Sequence, residues 1–122
     1  MRCFIVDDSQ DFLDAAGRLL ASDDFDVVGT ASTAKDALQL VAELRPDVVL
    51  VDVNLGTESG FALARALSEA PDSAGTPVIL TSTHAEDDYV ELIEASPAVG
   101  FLSKSSMSGA GIRGLLSGLR GT

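Results

Sequence analysis

A few polar residues stand where short apolar runs end. Asp7 and Asp8 follow residues 3–6, Asp52 follows residues 48–51, Thr81 and Ser82 follow residues 78–80, and Ser103 and Lys104 follow residues 99–102. Three carboxylates, a hydroxyl and a lysine form a reactive set if the chain folds them together. Carboxylates crowded into one cleft repel each other, and a divalent cation relieves that repulsion. Oxygen ligands favour a hard ion, and loosely arranged carboxylates completed by water favour Mg²⁺. The chain has only two lysines, Lys35 and Lys104, and one of them sits in this set. A fixed ammonium can hold a carboxylate and bind a phosphoryl oxygen, and the Ser82 hydroxyl can donate to another. Such groups suit an aspartyl phosphate: a carboxylate nucleophile, a metal that offsets charge, and a lysine and hydroxyl that clamp the product.

Gathering these residues requires a particular architecture. Apolar runs at residues 3–6, 48–51, 78–80 and 99–102 have no polar alternation, which predicts strands buried on both faces, and residues 25–28 are a further β-like run. Between them lie helical periodicities: Phe12, Leu13, Ala16, Leu19 and Leu20; Ala37, Leu38, Val41 and Leu44; Phe61, Ala64 and Leu67; Tyr89, Leu92 and Ile93; and Ile112, Leu115, Leu116 and Leu119. Gly29 is expected to end the second strand, and Thr33 with Asp36 to open the second helix as a capping box. Pro46, Pro71 and Pro97 mark helix ends. The order is (βα)5, an α/β three-layer sandwich with helices on both faces of a parallel sheet. Right-handed crossovers favour the flavodoxin-like strand order 2-1-3-4-5. In that order strands 1, 3, 4 and 5 are neighbours, and their carboxyl ends converge on one rim.

Length and charge agree with this picture and remove alternatives. The chain has 122 residues, 46% of them hydrophobic, enough for one domain with its own core. Its net charge is −11, which argues against nucleic acid or an anionic membrane as a partner. The single cysteine, Cys3, makes no disulfide framework and reads as an inert core thiol suited to the cytoplasm. No apolar run is long enough to span a bilayer, and the N-terminus lacks signal-peptide form. Gly109, Gly111, Gly114, Gly118 and Gly121 crowd the last helix, which then either frays or lets another surface approach closely.

Four segments together resemble the receiver domain of two-component response regulators, over essentially the whole chain. They are Ile5-Val6-Asp7-Asp8-Ser9, Arg45-Pro46-Asp47 with Val48-Val49-Leu50-Val51-Asp52, Pro77-Val78-Ile79-Leu80-Thr81-Ser82, and Gly100-Phe101-Leu102-Ser103-Lys104-Ser105. The intervals from Asp8 to Asp52, Asp52 to Ser82 and Ser82 to Lys104 look like that family's spacing. The resemblance implies Asp52 as phosphoacceptor, with Mg²⁺ held by Asp8 and Asp52, the Asn54 carbonyl, and Asp7 largely through water. It implies Ser82 as the switch hydroxyl, with Thr81 as the alternative, Lys104 as the phosphoryl clamp, and Phe101 as the aromatic switch working by packing alone. Thr83 and His84 take positions that modulate dephosphorylation.

The implied partners are a sensor histidine kinase or phosphotransfer protein, and a downstream protein bound through the fourth helix, fifth strand and fifth helix. That face could also form a phosphorylation-dependent homodimer. The domain is expected to signal rather than turn over a substrate, and residues 1–122 are expected to hold one receiver domain and no output domain, whether standing alone or cut from a longer regulator. Departures from the family are Thr83 where a small residue is usual, Ser105 where proline is common, and a 54–60 loop without Met-Pro. Other readings are a phosphorylation-independent interaction module, a phosphohydrolase of the haloacid-dehalogenase type and a flavin protein. The phosphohydrolase needs an acid where Asn54 stands, and Gly29-Thr30-Ala31-Ser32 is no phosphate cradle.

Overall fold

A computed structural model describes residues 1–83 and 88–120, with side chains left undescribed at 118–120. His84, and Glu86 and Asp87 of the acidic run before the fourth helix, lie outside the described residues. The elements alternate as expected. They are β1 (Arg2–Val6), α1 (Gln10–Ser22), β2 (Asp26–Ala31), α2 (Ala34–Leu44), β3 (Val48–Asp52), α3 (Gly60–Glu69), β4 (Val78–Ser82), α4 (Val90–Ala95), β5 (Gly100–Ser103) and α5 (Gly109–Arg120). A small antiparallel ladder, Asn54–Leu55 with Glu58–Ser59, lies between β3 and α3. The five strands form one parallel sheet in the order β2-β1-β3-β4-β5.

Strand alternation divides the core into two layers. Phe4, Val6, Val49, Val51, Val78 and Leu80 pack on one face against Ala37, Val41, Leu63, Ala64 and Leu67 of α2 and α3. Cys3, Ile5, Val48, Leu50 and Ile79 pack on the other against Leu13, Ala16 and Leu20 of α1 and Ile112 and Leu116 of α5. β3 is buried along its whole length, which explains its unbroken apolar sequence.

Helices α1, α2 and α3 start from hydroxyl N-caps. Ser9, Thr33 and Ser59 each accept a hydrogen bond from the backbone N–H three residues on. Arg45 ends α2 in the left-handed region (φ 48°), and Pro46 prevents its continuation.

Three expectations need correction. β2 does not stop at Gly29; it begins after Phe25 and runs through to Ala31. Gly29 is a strand residue because a Cβ there would stand 2.9 Å from the Phe4 ring, so the glycine makes room for a core aromatic. The fourth helix is shorter than its periodicity suggested: α4 has six residues, none buried, and Leu92 is 53% exposed. Tyr89 stands before it as N-cap, without a side-chain capping bond.

The glycines of α5 divide by position. Gly109 is pressed against Asp23 and Phe25 of the α1–β2 connection, with its would-be Cβ 2.6 Å from Asp23 Cβ, whereas Gly114 has nothing within 4 Å. The close approach at Gly109 is therefore made inside the chain. Asp23 Oδ2 accepts from Gly109 N (2.8 Å), and the Asp23 carbonyl accepts from the Arg113 guanidinium (2.7 Å). Among the described residues, no helix is long and apolar enough to cross a membrane.

Candidate functional site

The carboxyl ends of β1, β3, β4 and β5 lie side by side because the register aligns them. Val6 pairs with Val51, Asp52 with Thr81, and Ser82 with Ser103. Asp7 is fully buried just past β1, Asp52 is 5% exposed at the end of β3, and Asp8 is exposed. One carboxylate oxygen from each of Asp7, Asp8 and Asp52 falls within 4.8 Å of the others. A cleft of about 410 Å³ opens over them, walled by Asp8, Asp52, Asn54, Gly56, Ser82, Thr83 and Lys104.

The backbone around these groups orients them. Asp7 N donates to the Ala31 carbonyl (3.0 Å), and Asp7 Oδ1 accepts from Ser9 N (2.9 Å). Asp52 Oδ1 accepts from Asn54 N (3.2 Å). Val53 N donates to the Thr81 carbonyl (2.9 Å), tying the loop after β3 to β4. Gly56, at φ +68°, turns the small ladder. Gly60 opens α3 directly beneath Asp52: a Cβ there would lie 2.0 Å from the Asp52 carbonyl oxygen, so no other residue fits without moving the backbone. Glu58 accepts from Ala34 N (3.0 Å), which fastens the loop to the start of α2.

Lys104 supplies the positive charge. Its Nζ lies 2.6 Å from Asp7 Oδ2 and 3.2 Å from Asp52 Oδ2, and its side chain is 13% exposed. The Asp52 contact is a hydrogen bond. Asp7 Oδ2, fully buried, has the Lys104 ammonium as its charge partner.

Burial pushes the Asp52 carboxyl above its usual pKa and the Asp7 charge adds to the rise; the Asn54 N–H and Lys104 oppose it and do not cancel it. Burial alone would lower the Lys104 ammonium, but the hydrogen bonds and charges of Asp7 and Asp52 outweigh it and hold its pKa above the ordinary lysine value. Three converging carboxylates, two of them buried and offset by a single ammonium, form an oxygen-only donor set suited to a small hard cation.

The remaining candidates occupy distinct places. Ser82 is 2% exposed yet contributes to the cleft wall; Thr81 is 1% exposed and is not among its lining residues. Thr83 is exposed on that wall. Phe101 is buried below the rim, with its ring centroid 6.3 Å from that of Tyr89, which in turn lies 6.0 Å from Phe61. Tyr89 is thus a packing aromatic between α3 and β5. Two supporting residues were not assigned roles from sequence. Ser9 holds Asp7, and a serine just before an amphipathic run is a readable N-cap signal. Phe12 lies under Lys104, with the Nζ 4.5 Å from its ring centroid, and no spacing rule links those two positions.

Comparison with known proteins identifies the family of this fold. Residues 3–112 match the family model described as "Response regulator receiver domain". The transcriptional regulatory protein DesR of Bacillus subtilis is 32% identical over 121 residues, covering 96% of this chain and 59% of that protein. DegU of Brevibacillus brevis is 33% identical over 102 residues, covering 82% of this chain and 42% of its own length. Among solved structures, the signal receiver domain of the response regulator NarL from Mycobacterium tuberculosis superposes with a TM-score of 0.78 at 31% identity, covering 99% of this chain and 97% of that one. The chain belongs to the response regulator receiver domain family of two-component systems. It spans 59% or less of the two curated relatives named.

Proposed function

We propose that this receiver domain accepts a phosphoryl group on Asp52 from a sensor histidine kinase or phosphotransfer protein, with Mg²⁺ as cofactor, and thereby changes its affinity for a protein partner. The observation that carries this reading is the meeting of Asp52 with Lys104, Asp7, Asp8 and Ser82 around one cleft. An Asp52 carboxylate oxygen attacks phosphorus in line, and the bond from phosphorus to the donor breaks. The leaving group departs with the electron pair; when the donor is a phosphohistidine, it is an imidazole.

Mg²⁺, when bound, would supply positive charge against the phosphoryl oxygens. Asp8, Asp52, the Asn54 carbonyl and Asp7, partly through water, would hold it. Lys104 keeps Asp52 oriented beforehand and exchanges that carboxylate oxygen for a phosphoryl oxygen afterwards. Ser82, on the cleft wall where Thr81 is not, is the favoured switch hydroxyl. Its movement would free space for Phe101 and so reach α4, β5 and α5, a face fit for a downstream protein or a second copy of the domain. Thr83 flanks the acceptor and would tune phosphoryl lifetime, as would His84. Such a domain would work in the cytoplasm.

The test is intact mass after incubation with acetyl phosphate, with and without Mg²⁺. The expected result is a Mg²⁺-dependent gain of one phosphoryl mass that Asp52→Asn abolishes. A gain that persists in Asp52→Asn overturns the assignment of the acceptor. No gain in a folded protein, even from a kinase, favours an interaction module that works without phosphorylation.

A further inference from the structure

Phe12 is the first-turn residue of α1 whose N–H is capped by Ser9 Oγ (3.3 Å). Ser9 N in turn donates to Asp7 Oδ1 (2.9 Å), Asp7 Oδ2 faces the Lys104 ammonium at 2.6 Å, and that ammonium lies 4.5 Å from the Phe12 ring centroid. These contacts close a circuit: Asp7, Ser9, Phe12, Lys104 and back to Asp7. An ammonium has three N–H groups. Two carboxylates and one ring face lie against this one.

A benzene face attracts a cation through its quadrupole and offers no oxygen to compete with the carboxylates. It also keeps water off that side, where water would screen the charge and draw a long, flexible side chain outward. Phe12 is half-buried and packs against the α1–α5 core layer, so its ring is anchored.

We propose that Phe12 is a positioning residue for Lys104: its ring holds the ammonium on the Asp7–Asp52 pair and so sets the rate of phosphoryl transfer to Asp52. The rate claim rests on the function proposed above; the positioning claim is read separately.

The test compares Phe12→Leu, Phe12→Met and Phe12→Tyr with wild type. The first measurement is the proton shift of the Lys104 ε-methylene, which the ring current moves upfield. The upfield shift is expected in wild type and Phe12→Tyr and lost in the other two. The second is the labelling rate with acetyl phosphate at saturating Mg²⁺. It is expected to fall about tenfold in Phe12→Leu and Phe12→Met, with the fold intact by circular dichroism, and to recover in Phe12→Tyr. Wild-type rates in Phe12→Leu or Phe12→Met, or no recovery in Phe12→Tyr, overturn the proposal. Should wild type itself remain unlabelled while folded, by acetyl phosphate and by a kinase alike, the proposed function fails, and the ring-current shift alone decides: present, Phe12 positions Lys104; absent, it does not.

Discussion

At the scale of single residues, the site sets like charges against burial. Asp52 is held above its ordinary pKa, so the folded domain binds its proton more tightly than the unfolded chain does. Such a group lowers stability as pH rises from the unfolded carboxylate value through the folded one, and the deficit persists above that window. In metal-free protein, Asp52→Asn is therefore expected to be more stable than wild type at pH 7, and to lose that advantage as pH falls below about 4, the ordinary carboxylate value. Urea unfolding at both pH values checks this. Mg²⁺ should narrow the difference at pH 7 by stabilising wild type preferentially. A larger advantage for Asp52→Asn at pH 3.5 than at pH 7 would contradict the sign.

Elements differ in how they are secured. α1, α2 and α3 each begin with a hydroxyl cap at the functional rim, while α4 has no side-chain cap and no buried residue. α5 depends on a neighbour: Asp23 accepts from its first N–H and the Arg113 guanidinium spans the same loop, lying 4.7 Å over the Phe25 ring. Its glycines should respond oppositely to substitution. Gly109→Ala forces Asp23 and Phe25 apart and is expected to destabilise by about 1–3 kcal/mol. Gly114→Ala meets nothing within 4 Å and is expected to stabilise by up to about 1 kcal/mol through helix propensity. Chemical denaturation of both variants measures the contrast; equal effects would mean that the Asp23 contact does not constrain α5.

Across the whole molecule, the central strands bring the acidic cluster and Lys104 to one edge and bury their own apolar side chains. Cys3 is an example: it is fully buried in β1, and burial pushes its thiol up to about 12. The unfolded chain loses this proton first, so the Cys3 contribution to stability falls as pH rises from about 9 toward 12. Compared with Cys3→Ala, wild type is expected to lose about 1 kcal/mol of relative stability between pH 9 and pH 10. At pH 8 the native thiol should resist alkylating reagents that modify it rapidly in urea. Rapid modification of native protein would show that β1 opens to solvent.

Much of this domain was legible in the chain. Unbroken apolar runs such as residues 48–51 determined a parallel sheet, because only burial on both faces accounts for them. Polar residues ending those runs foretold which side chains would gather at one cleft, since parallel strands deliver their carboxyl ends to one edge. Thr33 and Pro46 bounded α2 through local hydrogen bonding and sterics, which depend on few neighbours. The tertiary structure decided what depends on contacts between distant residues. Gly29 reads as a strand terminator until the Phe4 ring is seen to fill the space its side chain would take. Leu92 keeps helical periodicity yet faces solvent, because α4 is too short to press its face into the core. The ring of Phe12 and the ammonium of Lys104 meet only because the chain leaving β5 passes over the face of the sheet that α1 covers, and periodicity describes one element at a time.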